Sequence, residues 1–555
     1  KKKKKKKKKK STVTLFFQFF HYLPLPVTSL FYFILFFCIL IFKFQKALFI
    51  SSHYLQICFY FIFLEKNTMF WKKKEKTVAE LGLELVGACM NGYPYRVEEI
   101  LKKKRTDPNF TYRGQTPLYF ACFHGYVKVV QLLLKDKRIR PNIPDPNGAT
   151  PLWIACRKGK LQTSTLLLNH ENIEVNQANN DGQTPFFIAC AKESFEVVRL
   201  MLNDNRVDVN KADNDGQTPF FIACEKGNVE TMKMLLADER VDVNQTNKNK
   251  ETPFYIACQK ERIDVIKELV NHSRINVNQT NKNEETPFYM ACQKSKIGTL
   301  KLLLNVQRID VNKSNVEGWT PFYIACKKNL IEVVKIISND QQIDLNKGNE
   351  TPLYIACYFG RYQIVKYLLE IQKVNVNKGN IDSETPLWIA CQNGHIGIVQ
   401  LLLNNNRVDV NKPNNDGQTP FYIACWNGQT EIVGLLLGDK RIDINKKEKD
   451  GQTPLFISCF FGRLKIVEYI IGSGRNINLF EKNKDGKTAL DIARERERER
   501  KTEKEINWEN DQEFEMRKKN YSKIIELLES FKKNPDQTRQ KIILSIAMVN
   551  FNSLF

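Results

Sequence analysis

The chain is poor in histidine and lacks paired-cysteine motifs. Only six of its 555 residues are histidine, and none of them lies at a metal-ligand spacing from another. The 14 cysteines contain no CxxC pair, and no phosphate-binding loop, HExxH, GxSxG or kinase signature is present. These absences argue against a zinc site and against the common classes of nucleotide-dependent and hydrolytic enzymes. We therefore expect no catalytic residue, no metal and no cofactor.

The chain also lacks a strong charge of one sign once residues 1–68 are set aside. The formal net charge is +24, but this N-terminal segment carries 13 lysines and one glutamate, or +12, which leaves +12 for the rest of the chain. A bias of this size does not by itself indicate a nucleic-acid partner.

The N-terminal segment, residues 1–68, has an unusual composition. Ten lysines open the chain, Met69 is its first methionine, and residues 23–42 and 47–64 are uncharged. The first uncharged stretch is long enough to cross a bilayer, with the lysines on the cytoplasmic side. Such residues also arise when A- and T-rich DNA is translated upstream of a start codon, and no signal-peptide cleavage pattern is present. We interpret residues 1–68 as an artefactual extension or else as a membrane anchor.

One heptapeptide, in contrast, is abundant. TPFYIAC or a close relative occurs eleven times, at a constant step of 34 except for one step of 31. The copies begin at Thr116, Thr150, Thr184, Thr218, Thr252, Thr286, Thr320, Thr351, Thr385, Thr419 and Thr453, and a weaker copy begins at Thr488. Self-similarity at a fixed period of this length predicts a stacked array of repeats.

Each repeat predicts two helices. Threonine is a good N-cap and the proline after it suits the first helical turn. The first helix ends at glycine in seven copies, as expected for a left-handed helix stop. Four copies place Glu193, Glu261, Ser295 or Asn329 there instead, and we expect turns of a different shape at these four. The step of 31 removes three residues before Thr351, which should shorten one loop and leave the helices intact.

The cysteine that ends each copy predicts a small buried residue. Equivalent helices of neighbouring repeats stack about 8–10 Å apart, whereas a disulfide needs Cα atoms within about 4.4–6.8 Å. One cysteine per repeat therefore suits neither a disulfide ladder nor a zinc site. Unpaired thiols in this number indicate a reducing compartment.

The repeat resembles the ankyrin repeat, whose first helix opens with T-P-L-H-x-A. The resemblance covers roughly residues 77–531 and implies an all-α ankyrin-repeat solenoid, built of helix-turn-helix units with β-hairpin finger loops. In every copy an aromatic residue replaces the family's histidine. In the family, that histidine forms hydrogen bonds within and between repeats. The replacements are Tyr119, Trp153, Phe187, Phe221, Tyr255, Tyr289, Tyr323, Tyr354, Trp388, Tyr422 and Phe456. We expect these rings to hold the array together by apolar area and edge-to-face contact.

The repeat pattern also predicts domain boundaries. Residues 77–110 read as a degenerate N-terminal capping repeat and residues 111–480 as the repeat array. Residues 481–531 read as a C-terminal capping repeat with a charged insertion, and residues 532–555 as a tail. A terminal repeat with a polar outer surface is what such an array needs for solubility.

The two residues after each cysteine are the candidate binding residues. The resemblance implies that partners bind on the concave face, made by finger tips and first helices. One of these two positions is lysine in six consecutive repeats, which we call the lysine stripe: Lys158, Lys192, Lys226, Lys260, Lys294 and Lys328. Further along lie large apolar groups, which we call the aromatic patch: Tyr358, Phe359, Trp426, Phe460 and Phe461. Ordinary solvated helix ends would give the same pattern.

The pattern favours a non-catalytic intracellular scaffold or adaptor that binds a partner protein, with the lysine stripe suited to an acidic segment and the aromatic patch to anchoring it. The resulting localisation is cytoplasmic. A membrane-tethered repeat protein, anchored by residues 23–42, is one alternative. A basic nucleic-acid-binding protein is another, and the mild charge after Met69 argues against it.

Overall fold

The computed structural model describes residues 76–498 and 511–552, with side chains given for 76–498 and 515–545. Contacts divide the chain into two units at Thr77, and all described helices lie in the unit Val78–Phe555. Over these ranges no helix combines the length and apolar character needed to cross a bilayer. The apolar stretches 23–42 and 47–64 lie outside the described residues.

The described part of the chain forms 27 helices and no strand. Helix α1 is Val78–Met90 and α2 is Pro94–Leu101. The eleven full copies then form helix pairs, each with a first helix that begins at the proline of the heptapeptide. After them come α25 Ala489–Arg498, α26 Asp511–Lys533 and α27 Pro535–Asn552.

The first helices are α3 Pro117–His124, α5 Pro151–Arg157, α7 Pro185–Ala191, α9 Pro219–Lys226, α11 Pro253–Gln259, α13 Pro287–Gln293, α15 Pro321–Lys327, α17 Pro352–Tyr358, α19 Pro386–Gln392, α21 Pro420–Trp426 and α23 Pro454–Phe460. The second helices are α4 Val127–Lys135, α6 Leu161–Leu168, α8 Phe195–Leu202, α10 Val229–Ala237, α12 Ile263–Val270, α14 Ile297–Leu303, α16 Ile331–Ser338, α18 Tyr362–Glu370, α20 Ile396–Leu403, α22 Thr430–Gly438 and α24 Leu464–Gly472. First helices pack on first helices of neighbouring repeats and second helices on second helices. The expected all-α solenoid is confirmed, and the short step leaves α16 and α17 intact.

Each first helix begins as its sequence predicts. The threonine hydroxyl accepts a hydrogen bond from the backbone N–H three residues later, from Tyr119 at Thr116 through Phe456 at Thr453. All eleven threonines do so. The bond satisfies one of the four orphan N–H groups of the helix start. The loop before each threonine, called a finger here, is closed by short turns; the one bridge among the described residues joins Tyr112 and Gln115.

The prediction of differently shaped turns after four first helices was wrong. Glu193, Glu261, Ser295 and Asn329 have φ of 57°, 56°, 56° and 61°. These values lie in the left-handed region that glycine occupies at the equivalent positions, such as Gly360 at 67°. Stacking of the two helices therefore imposes one turn shape. A residue other than glycine at this position must adopt the left-handed conformation, which costs free energy.

The aromatic residue at the family's histidine position contributes more than apolar area. Tyr255 and Tyr289 accept hydrogen bonds at their hydroxyls from Asn281 and Asn315 of the next finger, at 3.1 and 3.3 Å. Other hydroxyls donate to finger side chains of the following repeat: Tyr323 to Glu350 at 2.7 Å, Tyr354 to Glu384 at 3.0 Å and Tyr422 to Gln452 at 3.2 Å. These tyrosines thus supply bonds between repeats, as the histidine does in the family.

The expectation of edge-to-face contacts between these rings was wrong. Within the described residues no two of the eleven rings form an aromatic pair with each other; Tyr119, for instance, pairs with Phe120. The rings are instead buried in the core, with Phe187 and Tyr422 both 1% exposed. The stacking distance of the repeats separates successive rings too far for direct contact.

The chain after the array packs back onto it. Ile542 of α27 is buried, and a Cβ placed on Gly472 would lie 3.0 Å from its Cγ2 atom. The Arg539 guanidinium donates to the backbone carbonyl of Arg475 at 2.8 Å. The domain boundaries expected from the sequence stay predictions.

Candidate functional site

The repeated cysteines are core residues. All twelve described cysteines are free thiols and buried, eleven of them ending the heptapeptide and one being Cys89. Burial raises the pKa of the thiol at each of them, to about 12 at Cys156 and Cys425. A thiol with so high a pKa holds almost no thiolate at neutral pH and is therefore a poor nucleophile. The interpretation of these cysteines as small packing residues is confirmed, while Cys38 and Cys58 lie outside the described residues.

The lysine stripe lies at the carboxyl ends of six consecutive first helices. Lys226 is the last residue of α9, and the other five are the residues that directly follow their helices. All six side chains are exposed. A cation near a helix carboxyl end is favoured by the helix dipole. Lysine at each position is therefore stabilising for its own helix, in addition to being able to bind a partner.

Two of the six lysines have partners within the array. The ammonium of Lys260 lies 3.7 Å from a carboxylate oxygen of Glu225, and that of Lys158 lies 4.4 Å from the centroid of the Phe123 ring. The other four lysines of the stripe form no ion pair with any residue that the structure describes. An exposed charge of this kind is available to a partner at little desolvation cost.

A row of side chains borders the stripe on the finger side, at the residue before each heptapeptide threonine. Its position beside the stripe is shown by Gln293, the residue before Lys294, which donates to Glu285 at 3.2 Å. This row contains carboxylates at Glu251 and Glu285 but amides at Gln183 and Gln217. The row is therefore uncharged beside Lys192 and Lys226, as it is beside Lys158 and Lys328, where it carries Ala149 and Trp319.

A cavity of about 420 Å³ lies beside Lys192 and Lys226, between the fingers and the first helices of three repeats. Its cations are Arg157, Lys192 and Lys226, and its anions are Asp181 and Asp213 on the fingers. Trp153, Phe187 and Ile222 contribute apolar surface to the wall. The cavity unites two residues of the stripe; Lys158, Lys260, Lys294 and Lys328 do not line it.

The aromatic patch divides into a pair and a cluster. Tyr358 and Phe359 form an edge-to-face pair with ring centroids 4.9 Å apart. Trp426, Phe460 and Phe461 form the cluster, in which Phe461 lies 5.5 Å from Trp426 and 5.0 Å from Phe460. No ring contact joins the pair to the cluster among the described side chains, so the five residues do not make one continuous surface.

The chain after the array covers part of this cluster. The guanidinium of Arg496 lies 3.9 Å from the centroid of the Phe460 ring, and the Tyr521 hydroxyl donates to the Phe460 carbonyl at 2.8 Å. Phe460 and Phe461 are consequently partly buried, whereas Trp426 is 37% exposed. Tyr358, Phe359 and Trp426 are the members with most surface available.

Sequence reasoning named no individual residue on the finger side of the groove. Asn147, Asn179 and Asp181 line the cavity together with Lys192, although they lie outside the heptapeptide and the two residues after it. Their signal is the turn before the threonine, which reads Pro-Asn-Gly at residues 146–148 and Asn-Asp-Gly at residues 180–182. Within the described residues no group of three or more histidine, cysteine or carboxylate side chains could hold a metal ion.

Comparison with protein families matches most of the array. A family described as ankyrin repeats (3 copies) matches residues 85–179, 165–247, 236–315, 295–380 and 371–448. A second, described as ankyrin repeats (many copies), matches residues 430–471. A search of curated proteins gives no match. The helix pairs, their period and these matches agree: the chain belongs to the ankyrin repeat family.

Proposed function

We propose that this chain is a non-catalytic scaffold or adaptor that binds an acidic, extended segment of a partner protein along the groove between fingers and first helices. Ankyrin repeats are generally protein–protein interaction modules, and stacked repeats present long surfaces for this purpose. The observation that carries the proposal is the lysine stripe, with six exposed ammonium groups in the same register of consecutive repeats.

At the repeats of Thr184 and Thr218 the acidic segment contacts Lys192 and Lys226, on the side of the cavity away from the finger carboxylates Asp181 and Asp213. Lys192 and Lys226 have no ion-pair partner among the described residues, and the neighbouring row carries Gln183 and Gln217 in place of carboxylates. The cavity at this position also offers apolar wall to a partner side chain. Charge complementarity of this kind speeds and orients association, while the apolar contact supplies much of the affinity.

The exposed aromatic side chains Tyr358, Phe359 and Trp426 anchor the partner further along the groove. Exposed rings at a binding surface are frequent hot spots because they bury a large area with few rotatable bonds. The compartment inferred from the twelve free thiols is reducing, which is consistent with the cytoplasm.

The test measures binding of a defined acidic probe to the full chain and to charge-reversed variants. The probe is a short fluorescein-labelled peptide in which glutamates alternate with leucines, followed by anisotropy at several salt concentrations. We expect Lys192→Glu with Lys226→Glu to weaken binding about tenfold, since each exposed charge pair contributes about 0.2–1 kcal/mol and reversal adds repulsion. The salt dependence of binding should flatten at the same time.

Two controls make the result specific. The matched variant is Lys128→Glu with Lys301→Glu, which reverses the same charge on exposed lysines of second helices and should leave the affinity unchanged. A probe with lysine in place of glutamate should bind at least tenfold more weakly than the acidic probe. Equal affinity for both probes, or an unchanged affinity after reversal at Lys192 and Lys226, would contradict the proposal.

A further inference from the structure

From the finger before Thr150 to the finger before Thr488, the fingers are joined to one another by backbone hydrogen bonds, with one interruption. The finger before Thr150 has no such bond to the one before Thr116, because Pro146 stands at the donor position and has no N–H. In each bond an N–H of one finger donates to a carbonyl of the preceding finger. The bonds are Asn180 to Asn147, Asn214 to Asp181, Lys248 to Asp215, Lys282 to Asn249, Val316 to Asn283, Asn415 to Asp382, Lys449 to Asp416 and Lys484 to Asp450, at 2.8–3.1 Å. Among the described fingers none donates to the carbonyl of Glu317, and the N–H of Ile381 donates to no preceding finger.

Both missing bonds flank the finger that the short step before Thr351 affects. This finger, residues 347–350, has three residues fewer than its neighbours, so its backbone does not extend to the level at which the other fingers meet. The ladder of finger bonds therefore ends at Val316 on one side of it and begins again at Asn415 on the other.

A second connection between repeats is interrupted at the same place. In eight places an arginine that follows a second helix donates from its guanidinium to a carbonyl of the second helix one repeat earlier. The carbonyl lies at the end of that helix or just after it, an arrangement called the arginine clamp here. The clamps are Arg138 to Leu101, Arg206 to Leu168, Arg240 to Leu202, Arg274 to Leu236, Arg308 to Val270, Arg407 to Leu369, Arg441 to Leu403 and Arg475 to Asp439. Such carbonyls have no partner inside their own helix, and a cation beside them is favourable.

The clamp positions on both sides of the repeat of Thr351 carry Gln342 and Lys373. A repeat is taken to run from the end of one second helix to the end of the next. Neither side chain has a guanidinium, so both interfaces of this repeat lack the clamp as well as the finger bond. Asn172 also replaces an arginine, but there the finger bond from Asn180 to Asn147 persists at 2.9 Å. The repeat of Thr351 is thus the only one in the described array that lacks both connections on both sides.

What remains at this repeat is its core and several side-chain bonds on each side. Tyr323 donates to Glu350 at 2.7 Å and Tyr354 to Glu384 at 3.0 Å. The ammonium groups of Lys347 and Lys378 donate to the carbonyls of Asn312 and Asn346, at 2.9 and 2.8 Å. Leu353, Ile355 and Cys357 are buried as in other repeats. The side-chain amides of Asn312 and Asn346 donate to the carbonyls of Gln342 and Lys373, at 2.6 and 2.9 Å. The helices of this repeat stack on those of both neighbouring repeats, whereas, within the described array, no finger bond and no arginine clamp joins it to either neighbour.

We propose that the repeat of Thr351 is a junction at which the array opens, so that the repeats before it and those after it fluctuate as two separate cooperative blocks. In a repeat array each unit is stabilised by its own fold and by its two interfaces, and weakened interfaces favour local opening. The junction separates the lysine stripe, which ends at Lys328, from the aromatic patch, which begins at Tyr358. Opening would change the distance between the two. This inference does not depend on the chemistry of the partner.

Hydrogen exchange of the full chain, measured by mass spectrometry, tests the junction. We expect the amides of α17 and α18 to exchange about tenfold or more faster than those of α11 and α12, which belong to an interior repeat with both connections on both sides. Equal rates in the two helix pairs would overturn the proposal.

A repair variant tests the cause. It inserts three residues into the finger at 347–350, to restore the spacing of the other repeats, and adds Gln342→Arg and Lys373→Arg. Exchange in α17 and α18 should then slow to within about threefold of α11 and α12. The double substitution without the insertion keeps the native loop length and should give an intermediate exchange rate. If exchange stays at the native rate in both variants, these connections do not define a junction.

A transplant variant supplies the converse control. Arg274→Gln with Arg308→Lys and deletion of residues 282–284 creates the same deficits around the repeat of Thr286. Fast exchange should then appear in α13 and α14, with a far-UV circular dichroism spectrum that stays helical. Native exchange rates there would count against the proposal.

Discussion

The six repeats that carry the lysine stripe and the four that follow share a buried sequence and differ on their surface. In both regions the heptapeptide is buried from threonine to cysteine. The residues after it change from lysine to aromatic or amide side chains. The helix stop also changes, since four of the six lysine repeats end the first helix at a side chain with positive φ, whereas Gly360, Gly394, Gly428 and Gly462 end it in the later ones. Stacking therefore constrains the buried positions and leaves exposed positions free to diverge by region.

The largest expected effect tests whether the two cores are equivalent. Phe288→Ala in the lysine region and Phe421→Ala in the later region each remove a side chain that is at most 1% exposed. Each should lower the free energy of unfolding of its region by about 3–5 kcal/mol, because a large cavity remains. Urea denaturation followed by circular dichroism measures both; a difference above about 2 kcal/mol between them would show that the shared heptapeptide packs differently in the two regions.

A smaller effect is expected from the tyrosine hydroxyls that donate to the next finger, because their acceptors differ between the two regions. Tyr323→Phe removes a bond to the carboxylate of Glu350, and Tyr422→Phe removes a bond to the amide of Gln452. We expect losses of about 1–2 and about 0.5–1 kcal/mol, since bonds to charged groups are stronger. Urea denaturation again gives the values, and a larger loss at Tyr422 would reverse the expected order.

The smallest effect concerns the helix stops. Glu193→Gly should raise the free energy of unfolding by about 0.5–1 kcal/mol, because relief of the left-handed strain exceeds the entropy that glycine adds to the unfolded chain. The matched change in the later region, Gly360→Ala, should be destabilising, since a Cβ there would lie 2.8 Å from the His395 ring. Thermal unfolding of both variants shows whether each change stabilises or destabilises the protein. Destabilisation by Glu193→Gly would show that strain at this residue does not reduce stability.

Much of the candidate site could be predicted from the sequence, but which of its residues are covered and which line a cavity could not. The lysine register follows from the period, because stacking repeats of equal length aligns equal positions. The partial cover of Phe460 by Arg496 and Tyr521 brings together parts of the chain that are distant in sequence, across segments with no repeat pattern. The cavity beside Lys192 likewise draws on fingers and helices of three repeats.

The sequence by itself determined the repeat, its two helices, the threonine caps and the burial of the cysteines. These features follow from local spacing and side-chain size, which are the same in every copy of the repeat. Only the tertiary structure decided that Glu193 and its three equivalents adopt the glycine conformation, and that the tyrosine hydroxyls bond to the next finger. It alone placed the loss of finger bonds and of arginine clamps at one repeat. The physical reason is that these features depend on contacts between adjacent repeats, where the backbone of one unit sets the geometry available to the next.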